Sequence, residues 1–457
     1  MNRRAVLATS GMLAAAILAG CVDDEGRSGG DETPDTPTDE PTDTPDGDGE
    51  GQKSLPEGDP GAADERIREL VAANAEFAMK LHEQFVADED ADNVFYSPYS
   101  ISMALAMTYA GSAGDAETAM REALRFTLED ATHPAFSDLQ SALDERETAA
   151  DPVPDDDDET DEVDAFTLSV ANALWGEEGY PFDDEYLDLV DEYYGGGFNE
   201  ANFTAQPELE RERINDWVAD ETDDRIEDLI PENGITPQTV LVLTNAIYFM
   251  ASWEQEFDPD DTQEAPFTAL DGSETTVPMM AQNLRTDYAK FPRAQAIELP
   301  YVGGEVSMVL IVPDEGEFEA VESDLAGENL FGVFDELGDA AGDLRMPRFE
   351  YEFEAELRES LSDLGMGAAF GPGADFSNMV DGEGGPGIDE VYHDALVSVD
   401  EEGTEAAAAT AVVMVESAPS ESFDLTIDRP FLFCIRDRPT DAVLFIGRVT
   451  DPDWTQG

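Results

Sequence analysis

The run Thr239-Val-Leu-Val-Leu-Thr-Asn-Ala-Ile-Tyr-Phe249 constrains the fold more than any other part of the chain. It carries no charge, Gly or Pro and is rich in β-branched and aromatic side chains, so it reads as a strand buried on both faces. Such a strand has to lie inside a sheet whose two faces are both covered. Asn245, in its middle, is costly there unless its amide is fully hydrogen-bonded.

The flanking sequence supplies the rest of the architecture. Ile67, Leu70, Val71, Asn74, Phe77, Ala78, Leu81 and Phe85 recur at helical spacing and predict an opening amphipathic helix. Ser97 caps a second helix, Pro98 fits its first turn, Ile101, Ala104, Leu105 and Thr108 share a face, and Gly111 stops it. From Thr167 to Trp175 the pattern turns to strand, and Ile214, Trp217, Val218 and Ile226 return to a helical rhythm. Later runs at 306–312, 344–353, 391–399 and 442–449 read as strands. Helices lead and strands dominate later, which is an α+β pattern rather than alternating βαβ. The stretch 137–164, with Asp155 to Asp158 at its heart, reads as an acidic, solvated surface insertion.

Charge sets the environment. The 457 residues hold 107 Asp and Glu against 23 Lys and Arg, a formal net charge of −84. A nucleic-acid partner is excluded, because its phosphates would be repelled over the whole surface. Docking on anionic lipid through a basic face is disfavoured for the same reason. Residues 22–60 hold fourteen acids and two bases, so most of the excess sits on the rest of the chain. Only Lys53, Lys80 and Lys290 are lysines. Such a shell repels itself in dilute buffer, whereas at molar salt the Debye length falls to about 3 Å and the repulsion is screened. The composition resembles that of extreme halophiles. A disordered acidic chain is excluded by the hydrophobic content, 41%, and its periodicity.

The start of the chain reads as an address. Arg3-Arg4 precede an uncharged stretch from Ala5 to Ala19, too short to span a bilayer but fitting a signal-peptide core. The paired arginines look like a twin-arginine export signal, and Leu18-Ala19-Gly20-Cys21 resembles a lipobox with Cys21 as the lipid attachment point. Residues 1–21 are thus expected to be an export signal, 22–60 a disordered Thr/Pro/Asp tether, and 61–457 the folded domain, held outside the cell by lipid in the membrane. Cys434 has no disulfide partner and reads as a small buried hydrophobe.

Catalytic and metal signatures are weak. Asp46-Gly-Asp48-Gly-Glu50-Gly51 approaches a calcium-loop spacing, but Glu50 is a misfit and Pro56 intrudes. His82-Glu83 lacks a second His at zinc spacing, so no metal site is assigned. The one Gly-x-Ser-x-Gly match, Gly26 to Gly30, lies in the tether, and only His82, His133 and His393 could act as a base. An enzyme is not expected.

The segment from Glu401 to Val415 is the oddest. By propensity its alanines should be helical. At period two, one face carries Thr404, Ala406, Ala408, Thr410, Val412 and Met414, the other Glu405, Ala407, Ala409, Ala411, Val413 and Val415. Neither face carries a charge from Ala406 onward, so the segment can be a loop in one state and slide between two strands in another. Gly403 supplies a backbone hinge. An ordinary Ala-rich surface helix is the other reading.

Gly403-Thr-Glu-Ala-Ala-Ala-Ala409 resembles the reactive-loop hinge of inhibitory serpins. The run from Asn93 to Met107, Leu243-Thr-Asn-Ala-Ile-Tyr-Phe249, Glu298-Leu-Pro-Tyr301, Asp428-Arg-Pro-Phe-Leu-Phe433 and Phe445-Ile-Gly-Arg-Val449 resemble serpin signatures in the family order, over about residues 64–452. The resemblance implies an α+β fold with three β-sheets, eight or nine helices and an exposed reactive loop near the C-terminus. It also implies a suicide-substrate inhibitor of serine proteases, acting as a monomer without cofactor: the protease is trapped as a covalent acyl complex while the cut loop inserts into the large sheet. A non-inhibitory serpin serving as carrier or scaffold is the alternative.

By the same resemblance, Ser97, Ser100, Asn245 and His393 form the cluster under the sheet opening. Trp253 and Arg348 stand where the loop first enters, and Glu401 pairs with Arg348. Glu401, Gly403, Thr404, Ala406, Ala407, Ala408 and Ala409 form the hinge. The cut bond falls about fourteen residues beyond Gly403, between Ser417 and Ala418, with Val415-Glu416 and Ala418-Pro419 as neighbouring registers. A small residue there implies an elastase-like or subtilisin-like target. Met250-Ala251 stand where many relatives carry Lys-Gly.

Overall fold

The structure is a computed structural model and describes residues 60–452 apart from 88–92, 150–152, 155–161, 164–165, 196, 326–329, 372, 382–384 and 405–420. Cys21, the tether, alanines 406–409 and the bond 417–418 lie outside the described residues. What is described comprises nine α-helices and sheets of nine, six and two strands.

The six-stranded sheet runs in the order Phe349–Glu356, Val391–Val399, Gly403–Thr404, Leu241–Ser252, Phe166–Glu177, Phe198–Ala201. Its strand Leu241–Ser252 explains the apolar run. Leu243, Ile247, Phe249 and Ala251 face the main core, while Val242 and Ala246 join a second cluster with Trp175, Ile214, Val218 and Tyr392. The second cluster is roofed by helix Pro207–Glu221; Ile226 falls beyond that helix's end yet packs into the same cluster.

On the opposite face lies helix Pro98–Ala110, buried almost throughout. Ser97 caps it, its side chain accepting from the Ser100 N–H at 3.1 Å, and Pro98 sits in the first turn. Gly111 ends the helix with φ −92°, so left-handed backbone is not its reason. A Cβ there would meet the Met379 Cβ at 2.6 Å, and close approach is what requires glycine. The opening helix, Pro60–Phe85, buries Leu70, Phe77, Ala78 and Leu81.

Two expectations need correction. The stretch 137–164 is not wholly a surface insertion: 137–149 belongs to helix Thr132–Ala149, which buries Phe136, Leu139 and Leu143 at helical spacing. Its acids Asp138, Asp144 and Glu145 lie off the buried stripe. The predicted strand 344–353 is two strands in different sheets, Gly338–Pro347 in the nine-stranded and Phe349–Glu356 in the six-stranded sheet, and the chain crosses between them at Arg348.

The nine-stranded sheet also holds Glu421–Thr426, parallel to Gly338–Pro347. Residues 405–420 therefore connect a strand of one large sheet, at Thr404, to a strand of the other, at Glu421. Cys434 is buried in strand Phe431–Asp437, and burial pushes its thiol up to about 12.

Candidate functional site

The six-stranded sheet is divided at its centre. At one end, Val391–Ala395 pair parallel and directly with Leu243–Ile247. At the other, Gly403–Thr404 lie between the same two strands, with Thr404 opposite Val399 on one side and Gly403–Thr404 opposite Ser252–Ala251 on the other. Both pairings are antiparallel. The sheet is zipped below and already holds the first two residues of a further strand above.

A root fixes that short strand. Asp400 Oδ1 accepts from the Glu402 and Gly403 N–H groups at 2.9 and 3.2 Å, closing a tight turn. The Trp253 and Phe257 N–H groups donate to the Glu402 and Glu401 carbonyls, and the Trp253 indole donates to the Asp400 carbonyl at 3.0 Å. The Glu401 carboxylate, 3% exposed, accepts from the Thr262 hydroxyl at 2.5 Å and from Arg348. Burial alone would raise its pKa; the hydrogen bonds from Thr262 and Arg348 outweigh that and hold it below the usual value. Thr404 is buried and its hydroxyl meets the Tyr301 hydroxyl at 2.8 Å. Tyr301 stacks on Trp253, ring centroids 4.6 Å apart, and meets Phe249 edge-on at 5.3 Å.

Beneath the zipped end lies the polar cluster that Asn245 required. Asn172, Asn245 and His393 are direct neighbours on three adjacent strands. Asn245 Nδ2 donates to Ser100 Oγ at 2.7 Å and Asn172 Oδ1 at 2.5 Å, and Asn245 Oδ1 accepts from His393 Nδ1 at 2.5 Å. His393 Nε2 accepts the Ser97 N–H at 3.4 Å, and the Ser97 hydroxyl donates to the Leu444 carbonyl at 2.7 Å. This pattern requires the neutral imidazole with its proton on Nδ1. Burial pushes His393 down to about 3, so it remains neutral across ordinary pH. The Asn245–His393 hydrogen bond directly bridges the two strands whose other ends are already parted.

Of the residues singled out in the sequence, the structure brings Ser97, Ser100, Asn245 and His393 into one cluster. It brings Trp253, Arg348, Glu401, Gly403 and Thr404 into the root. Residues 406–409, Ser417, Ala418 and Cys21 are outside what is described. Sequence reasoning missed Asn172, Thr262 and the role of Tyr301. Asn172 carried the same signal as Asn245, a lone amide in an apolar strand run; Thr262 carried none.

The site is thus a sheet with a gap between two central strands, into which the first two residues of a following segment are paired. The serpin family model, described as serine protease inhibitor, matches residues 72–452. A serpin-like protein of Thermococcus kodakarensis is 36% identical over 387 residues, covering 84% of this chain and 86% of its own length. The leukocyte elastase inhibitor of Sus scrofa is 34% identical over 395 residues, covering 84% of this chain and all of its own. The native-state structure of tengpin, a thermophilic serpin, superposes with TM-score 0.70 at 28% identity, covering 83% of this chain and 94% of that one. The chain belongs to the serpin family.

Proposed function

We propose that the protein inhibits serine proteases as a suicide substrate and is not itself a catalyst. One observation carries this reading: Gly403–Thr404 are paired on both sides within the gap between Val391–Val399 and Leu241–Ser252. If that register continued on insertion, Ala406 would stand between Phe249 and Val397, Ala408 between Ile247 and Ala395, Thr410 between Asn245 and His393, and Val412 between Leu243 and Val391. Small side chains would meet the crowded upper core first, and the one hydroxyl would arrive at the one polar pair.

In the proposed reaction the protease's serine hydroxyl attacks the carbonyl of Ser417. The bond to Ala418 breaks, the amine of Ala418 departs as a new N-terminus, and an ester joins Ser417 to the enzyme. The freed segment then enters the gap as a full strand and carries the acyl-enzyme with it. The small, uncharged side chain of Ser417 at the proposed cut bond favours a target with a shallow pocket, elastase-like or subtilisin-like. Export, lipid attachment at Cys21 and operation as a monomer in molar salt complete the proposal, and rest on the sequence features at residues 1–21 and on the charge of −84.

The test is to mix the protein with a subtilisin-like protease in molar KCl and run the products in SDS. A covalent complex that survives SDS, with a released peptide beginning at Ala418, is expected. Complete loop cleavage with no trapped adduct would overturn inhibition and leave a carrier or scaffold role.

A further inference from the structure

Strand Phe349–Glu356 alternates without exception. Phe349, Tyr351, Phe353 and Ala355 pack on the core, and Glu350, Glu352, Glu354 and Glu356 stand exposed on the other face. Its neighbour Val391–Val399 sets Asp394 directly opposite Glu354. Carboxylate oxygens of Glu352, Glu354 and Asp394 lie within 4.8 Å of one another. Asp394 differs from the two glutamates: it is 4% exposed, and although its carboxyl hydrogen-bonds Glu352 and the Ala395 N–H, its Oδ1 has no hydrogen-bond partner. Among the described residues no arginine or lysine forms an ion pair with any of the three, and the charges acting on Asp394 are those of Glu352 and Glu354.

A buried carboxylate oxygen without a donor is costly, and two more carboxylates beside it add repulsion. Nothing in the loop-insertion reading uses these three groups. We propose that Glu352, Glu354 and Asp394 bind one hard divalent cation of calcium's size, with water completing the shell from the exposed side. Oxygen ligands select a hard cation, and Ca–O distances of about 2.3–2.6 Å span oxygens separated by up to about 5 Å, whereas magnesium's shorter bonds do not. The cation would tie Phe349–Glu356 to Val391–Val399, the strand that borders the insertion gap, and would stiffen that flank. The site stands whether or not the protein inhibits proteases.

The experiment uses the full chain, freed of metal with EDTA, at constant molar KCl to suppress diffuse binding to the acidic surface. Calcium chloride is titrated calorimetrically, with terbium luminescence excited through tyrosine as a second readout. Expected is one saturable site that binds magnesium more weakly, loses about tenfold or more in affinity in each of Glu352→Gln and Glu354→Gln, and is unchanged in Asp184→Asn on a remote helix. Both glutamates are exposed, so those variants test the site even if Asp394→Asn fails to fold. Non-saturating uptake, or saturable binding that Glu354→Gln and Asp184→Asn affect equally, would overturn the assignment.

Discussion

Cutting the loop should stabilise the protein rather than weaken it, and the sheet register gives the size of the effect. In the intact chain five residue pairs, Val391–Ala395 with Leu243–Ile247, join the two central strands directly. Insertion of about ten residues past Thr404 would replace that short parallel ladder with two antiparallel ones, a net gain of roughly a dozen backbone hydrogen bonds. At about 1 kcal/mol net for each, the gain is on the order of 10 kcal/mol. A domain of about 390 residues unfolds with an entropy near 0.8 kcal/mol/K, so the midpoint should rise by roughly 10–15 °C. The assay is a thermal scan in molar KCl before and after limited subtilisin treatment, with electrophoresis confirming one cut between 410 and 420. An unchanged or lowered midpoint in cleanly nicked protein would refute the insertion register and the reading built on it.

Three further outcomes follow from the geometry. Thr404→Arg places a charge where the hydroxyl now meets Tyr301 in the core, so the loop should be cut without trapping the protease, seen as loss of the SDS-stable complex while cleavage persists. Glu401→Gln leaves Arg348 and Thr262 with a weaker acceptor in a buried setting and should lower the intact protein's stability by about 1–3 kcal/mol, measured by denaturant unfolding. His133 sits among Tyr109, Tyr193 and Tyr194, and burial pushes it down to about 4. Its folded pKa is below the unfolded value, so its contribution is complete above about 6.5 and is lost as the unfolded chain takes up the proton. Wild type should therefore lose about 3 kcal/mol relative to His133→Gln between pH 6.5 and 4, and a pH-independent difference would contradict the burial argument.

Legibility differed by mechanism. The run around Asn245 was readable because burial on both faces leaves a continuous apolar signature, and the lone amide announced partners it had to have. Strand Val391–Val399 matched its predicted bounds because Val391, Tyr392, Ala395, Val397 and Val399 keep enough β-favouring apolar positions around its polar residues. Acidic composition also hid a helix: Leu139 and Leu143 continue the helical stripe begun by Phe136 into the stretch 137–164, whose acids read as a surface insertion. The division at Arg348 was hidden because both halves favour strand and only their partners differ, which is tertiary information. Thr262 reaches Glu401 across 139 positions of sequence, a contact no local pattern can encode.

Two ways of filling one gap compete. The direct pairing is short and parallel, and it is latched by the Asn245–His393 hydrogen bond within a fully satisfied buried cluster. The rival pairing is longer, but it can begin only by breaking that bond, and a buried amide and imidazole left open would cost about 1–3 kcal/mol each. Thr410 removes the objection, because the register started by Thr404 would deliver its hydroxyl between Asn245 and His393. The cost is then paid on the way and not in the final state, which makes it a barrier rather than a penalty. Under the proposed mechanism the polar cluster would then serve a kinetic purpose: it would delay the more stable arrangement until an end of the segment is freed.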